Sequence, residues 1–248
     1  MDKLISGIFR EHQTGLQLLT MPTGSGKTYS MNRAIFEYIT DDSIPLEEKR
    51  NMVVVTTMKK NLDCGGLRSM FEASGKLAMF DEVFIFLNSL SEIVVEYYEE
   101  SMEDQIFAAM GRDKIATDFI TSLTGIKESM RRDPDSPTVK LAIESFAANI
   151  EPRFRRKLRA IIRKEKFTYD NRLKLIETTK KWGWVAKLYP SIYSRRKKIF
   201  FMSADKFVMR NDTIIDKSNT IYDSPIVKDA IIFIDDCAQL RCFFECFL

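Results

Sequence analysis

Cysteine and histidine are scarce: four cysteines and one histidine in 248 residues. Three of the cysteines, Cys237, Cys242 and Cys246, crowd the last twelve residues at spacings that match no zinc pattern, and His12 lies near the other end. Both a zinc site and a disulfide framework are therefore poor candidates for what organises this chain. Long hydrophobic runs are missing too, since no apolar stretch approaches the roughly 18 residues a transmembrane helix requires. The opening Met1-Asp2-Lys3-Leu4-Ile5 lacks a signal-peptide pattern, so a cytoplasmic location is expected. No internal repeat or low-complexity linker is visible. The composition, 45% hydrophobic and 29% charged, is that of an ordinary globular protein, with length for one large domain or two small ones.

Against this plain background one stretch stands out: Met21-Pro22-Thr23-Gly24-Ser25-Gly26-Lys27-Thr28. Gly24 and Gly26 allow positive φ and a close backbone approach, so that successive N–H groups can point at phosphate oxygens. A helix starting at the end of the loop would favour an anion further. Lys27 is placed to reach the β- and γ-phosphates, and the Thr28 hydroxyl to ligand a magnesium ion. Leu16–Thr20 reads as a short buried strand before the loop. After it, Met31, Ala34, Ile35 and Tyr38 fall at helical spacing. The full pattern G-x-x-x-x-G-K-[ST] has glycine where this chain has Met21.

Further strands are expected at 51–57, 83–87, 198–202 and 230–234, where apolar and β-branched residues run together as in a parallel sheet covered on both faces. Residues from about 89 to 197 read as mainly helical, with an apolar stripe at Phe154, Leu158, Ile161 and Ile162 and breaks at Pro137 and Pro190. Strands and helices alternating around a long helical insertion imply an α/β fold with a mostly parallel sheet. The last strand, Ile231-Ile232-Phe233-Ile234, runs into Asp235 and Asp236. Carboxylates at the end of such a strand lie where ligands of open α/β sheets bind. In a nucleotide site Asp235 would hold magnesium through water and Asp236 would orient or deprotonate the attacking water, whereas a core strand running into an acidic turn is the plainer alternative.

The loop with a late hydrophobic-Asp-acid strand resembles motifs I and II of superfamily 2 helicases, nearest to the DEAD/DEAH-type ATPases related to the helicase subunit of type III restriction enzymes. Arg10-Glu11-His12-Gln13 is similar to the upstream Arg-x-x-Gln element of that group, which implies an adenine contact for Gln13. Val55–Leu62 is similar to motif Ia, and Phe201–Phe207 to the element that touches the nucleic-acid backbone, with Ser203 in place of threonine. The resemblance implies a RecA-like P-loop domain spanning 1–248, an ATP and Mg2+ site at Gln13, Pro22–Thr28, Asp235 and Asp236, and nucleic acid as partner. The departures are specific. Asp236 stands where glutamate is usual, which would leave the water about 1 Å from its productive position. No second RecA-like domain follows, so an arginine supplied by another domain or partner subunit is implied, and without it hydrolysis would be slower by roughly 10³. The apolar, cysteine-rich stretch 239–248 fits either a reading frame interrupted near Asp236 or a short terminal helix.

The net charge of +3 conceals an asymmetry: residues 151–200 hold seventeen basic and four acidic side chains. Arg153, Arg155, Arg156, Lys157, Arg159, Arg163, Lys164 and Lys166 share one expected helix, and Arg195-Arg196-Lys197-Lys198 follow. Such density can track a phosphate backbone, with Trp182, Trp184, Tyr189 and Tyr193 as stacking surfaces, or form a solvated face with the rings in the core. The function expected is the ATP-binding part of a helicase-like ATPase. The alternatives are a module that binds nucleotide or nucleic acid without turnover, and a small-molecule kinase.

Overall fold

The computed structural model describes residues 24–57, 64–165, 168–209, 213–216 and 220–235, with Gly7 and Asn211 besides. Gln13, Pro22, Thr23 and Asp236 lie outside the described residues, as do the strand expected at 16–20 and the tail beyond 235. The chain divides into two compact units, one of Met1–Leu87, Arg196–Met209 and Thr220–Leu248, the other of Asn88–Arg195 and Arg210–Asn219. The first holds the sheet; the second is helical.

In the sheet unit, helix α1 (Lys27–Thr40) precedes strand β1 (Met52–Thr56). Helices α2 (Cys64–Ala73) and α3 (Leu77–Val83) follow, then β2 (Phe84–Leu87), β3 (Ile199–Ser203) and β4 (Ile231–Asp235). Among the described residues all three strand pairings are parallel, in the order β2-β3-β1-β4. This is the α/β class with a parallel sheet that the alternation of elements predicts. Because side chains alternate across a strand, each run supplies two faces. Met52, Val54, Ile199, Phe201 and Ile231 pack against Ala34, Ile35 and Ile39 of α1, Leu67 and Phe71 of α2, and Phe80 and Val83 of α3. Val53, Val55, Ile85, Leu87, Phe200 and Met202 face the other way, against Phe207, Ile221 and Ile226. Every residue of β1 is buried, as a central strand covered on both faces should be. Aromatic contacts run through the first layer, from Phe36 to Phe71 at 5.0 Å between ring centroids, and on through Phe80 and Phe84 to Phe201.

The helical unit contains α4 (Leu90–Tyr97), α5 (Glu103–Met110), α6 (Lys114–Arg132), α7 (Pro137–Ser145), α8 (Glu151–Glu165), α9 (Tyr169–Thr178) and α10 (Gly183–Leu188). Side-chain caps start three of them: Asp113 accepts from Ala116 N–H, Ser136 from Thr138 N–H with Pro137 opening α7, and Thr168 from Asn171 N–H. A π-helical turn, Phe146–Ile150, joins α7 to α8. Its core centres on Phe119 stacked on Phe154 at 3.6 Å, with Trp184 beside them. Trp182, Trp184 and Tyr189 are fully buried and Tyr193 packs against the same cluster, so of the two readings of these rings the core is the one observed. Among the described residues no helix is long and apolar enough to cross a membrane.

Candidate functional site

The direction of α1 follows from its far end. Tyr38 Oη accepts from Arg50 N–H at 2.9 Å, and Lys49 Nζ donates to the carbonyls of Ile39 and Asp41 at 2.7 and 2.6 Å. Lys49 and Arg50 immediately precede β1, so the carboxyl end of α1 lies at the amino edge of the sheet. The helix therefore runs antiparallel to the strands, and its 14 residues, about 20 Å at 1.5 Å each, carry Lys27 toward their carboxyl ends.

At that edge the loop has the backbone its sequence predicts. Gly24 and Gly26 are left-handed, at φ +79° and +77°. An added Cβ at either would meet no described residue within 4 Å, so among these residues it is the conformation that calls for glycine. Gly26 sits at the N-cap of α1 and, as glycine, offers no capping side chain. The positive end of the helix also has no acid in its own first turn. Gly24, Ser25, Gly26 and Lys27 are exposed, and Thr28 is half-buried.

The strand ends complete the edge. Thr56 is in register with both Ser203 and Asp235, which places the ends of β3, β1 and β4 in one row. Ser203 is itself a cap: its Oγ accepts from Lys206 N–H at 3.3 Å and starts the short helix Ala204–Val208. Thr57 Oγ1, one residue beyond β1, is buried without a hydrogen-bond partner among the described residues. Two further polar residues escaped the sequence reading. Ser30 and Asn32 are buried on α1 near the same edge, and the signal for them was the polar break in the helix's apolar stripe. Among the described residues no group of three or more His, Cys, Asp or Glu side chains could hold a metal ion.

The opposite edge is fastened by cations. Besides Lys49, Lys198 Nζ donates to the carbonyls of Glu47 and Lys49 at 3.0 and 2.7 Å, and Lys197 Nζ to those of Asp81 and Glu82 at 2.8 Å each. Arg50 Nε donates to the carbonyl of Asp229 at 2.6 Å, holding a left-handed residue of φ +60° just before β4. Burial lowers Lys49, Lys197 and Lys198 from the usual lysine value, opposed by neighbouring carboxylates: Asp41 and Asp42 for Lys49, Glu82 and Asp81 for Lys197, and Glu47 for Lys198.

The basic run is split between the units: Arg195 belongs to the helical unit, whereas Arg196, Lys197 and Lys198 belong to the sheet unit. On α8, Arg155 Nε bonds Glu151 Oε1 at 2.9 Å, and the carboxylate is 1% exposed. Lys157 donates to the Met110 carbonyl and to Asp113, whose carboxyl it holds below the ordinary value together with the Ala116 N–H. Arginines also grip the segment 213–216. Arg159 donates to the carbonyl of Thr213, Arg172 to that of Ile215 and Arg163 to that of Asp216, while Arg195 Nε and Nη2 meet Asp216 Oδ2 at 2.8 and 2.6 Å. Ile214 and Ile215 are buried in the helical core beneath them.

No protein-family model matches this chain, and no curated protein matches it. What the chain does must then be argued from its site.

Proposed function

We propose that the chain binds ATP with Mg2+ at the carboxyl edge of its sheet and serves as the ATP-binding part of a superfamily 2 helicase-like ATPase acting on nucleic acid. The observation that carries the nucleotide reading is the pair of left-handed glycines, with no described residue within 4 Å of a Cβ at either, at a helix N-terminus on the carboxyl edge of the sheet. Lys27 would pair with the β- and γ-phosphates, and the loop's N–H groups would cradle them. Mg2+ binds through one or two carboxylates together with phosphate oxygens and water, a set that one strand-end carboxylate and the phosphates would supply. Thr28 and Asp235 would hold it, and bound there it would neutralise charge developing on the phosphates. Asp236 would orient the attacking water. An arginine from a second domain or a partner chain would complete the charge stabilisation.

Turnover of ATP with and without nucleic acid, in the unmodified chain and in Lys27→Ala, tests this. The expected outcome is nucleic-acid-stimulated hydrolysis that the substitution abolishes. Binding of ATP without hydrolysis in either condition would demote the chain to a silent module, and no ATP binding at all would end the nucleotide reading.

A further inference from the structure

The cations of the basic run divide by what they touch. Arg155, Lys157, Arg159, Arg163, Arg172 and Arg195 hold the helical unit together through Glu151, Asp113, the main chain of 213–216 and the Asp216 carboxylate. On α8 that leaves Arg153, Arg156 and Lys164, all exposed, with no hydrogen bond or ion pair to another described residue. At 100° per residue, positions 153, 156, 160 and 164 fall within a band about 80° wide, and eleven residues of rise extend it over about 16 Å. Ala160 is the fourth position, so the band presents three cations and no carboxylate. Glu165, the exposed acid of α8, lies off the band and faces Lys181 at 3.4 Å. Asp113, beside the helix, is already neutralised by Lys157.

A solvated helix face would account for exposed charge, but most other exposed cations of this unit have an acid within reach: Arg132, Lys140 and Lys174 each have one a helical turn away on their own helix, in Glu128, Glu144 and Asp170. Arg112, Lys114, Arg131 and Lys187 each lie within 4 Å of a carboxylate. A row of cations about 16 Å long, with no acid among them, spans roughly five phosphates of one strand at one per 3.4 Å of duplex axis. We propose that Arg153, Arg156 and Lys164 form the face on which the sugar–phosphate backbone of a nucleic acid docks, and that the other cations named above are structural. The choice of nucleic acid as the polyanion rests on the helicase-like reading.

The test is fluorescence anisotropy with a labelled 20-nucleotide single strand, DNA and RNA in turn, from 50 to 200 mM salt. It compares the unmodified chain, the triple variant Arg153→Glu, Arg156→Glu, Lys164→Glu, and Arg159→Met. ATP affinity and anionic vesicle binding are measured in parallel. The triple variant should lose at least ten-fold in affinity at 50 mM salt, with a salt dependence shallower by about two, since each phosphate contact contributes about 0.7 for single strands. Its ATP affinity should not change. Arg159→Met should lower the melting temperature and leave the salt dependence as it was. An unchanged affinity and salt slope in the triple variant overturns the proposal, as does binding of vesicles instead of oligonucleotides. A chain that binds ATP but no oligonucleotide loses this face and keeps its nucleotide site; one that binds neither loses both. Should charge reversal prevent folding, the glutamine triple variant must show the same shallower slope.

Discussion

The two edges of the parallel sheet treat polar groups in opposite ways. At the amino edge Lys49, Arg50, Lys197 and Lys198 place their donors on main-chain carbonyls, several of them at the ends of α1 and α3, where helices leave acceptors unmatched. At the carboxyl edge the N-cap of α1 is a glycine that offers no side chain, Gly24 and Gly26 are left-handed, and Thr57 Oγ1 is buried without a partner among the described residues. Buried polar groups are ordinarily satisfied, so an edge left incomplete among the described residues, beside one so fully tied, supports placing an outside group there. In the proposed reading the amino edge serves stability and the carboxyl edge binds the nucleotide.

If that division holds, substitutions at the two edges should separate binding from stability. The largest effect is expected for Lys27→Ala. Losing a charge-assisted contact of about 2–3 kcal/mol should weaken ATP roughly 30- to 150-fold by calorimetry, and the melting temperature should scarcely move because Lys27 is exposed. Equal losses of binding and stability would break the comparison. Lys49→Met is the mirror experiment. It leaves the carbonyls of Ile39 and Asp41 without their ammonium donor in a site where the lysine is 4% exposed, a cost of about 2 kcal/mol in denaturant unfolding with ATP affinity intact.

Gly26 sharpens the boundary at smaller amplitude. Alanine at φ +77° should cost about 1–2 kcal/mol of stability, and asparagine, which tolerates the left-handed region, distinctly less. Neither Cβ clashes with a described residue, so among these the conformational term acts alone. Both variants should nonetheless bind ATP at least ten-fold more weakly, because the new side chain fills the space through which phosphates approach. Gly26→Asn with ordinary stability and undiminished ATP binding would show that the loop is not a cradle.

How far these features could be read from the sequence depends on the kind of partner each residue has. Val53-Val54-Val55 and Ile231-Ile232-Phe233-Ile234 announce buried parallel strands because their partners are any apolar surface, and the glycines of the loop announce their backbone because only glycine adopts it freely. Strand order is not legible, since β3 joins β1 and β2 only after more than a hundred intervening residues. Nor is the fate of the basic run. Arg159, Arg163 and Arg172 bond main-chain carbonyls of 213–216, which leave no mark in side-chain pattern, and Arg195-Arg196-Lys197-Lys198 looks like one cluster although a unit boundary cuts it after Arg195. The tryptophans went to the core because a helical unit of this size needs large apolar side chains at its centre.

The smallest predicted effect tests the amino edge by pH. Burial lowers Lys49 in the folded chain below the 10.5 of an unfolded lysine. Between the folded and the unfolded value the unfolded chain binds more protons, so the slope of unfolding free energy with pH is positive. The desolvation cost is fully present below the folded value and fades as pH rises toward 10.5. Lys197 and Lys198 share the direction, whereas Tyr98, pushed up to about 12 by burial, acts in the opposite sense above pH 10. Denaturation midpoints of the unmodified chain and Lys49→Met, compared at pH 8 and pH 9.5, isolate one group. The stability gap between them should widen at pH 9.5, because only the lysine sheds a desolvation cost. A gap that narrows with pH would mean that the charged ammonium is favoured in the folded chain, and that Lys49 holds its two carbonyls mainly as an ion drawn to Asp41 and Asp42.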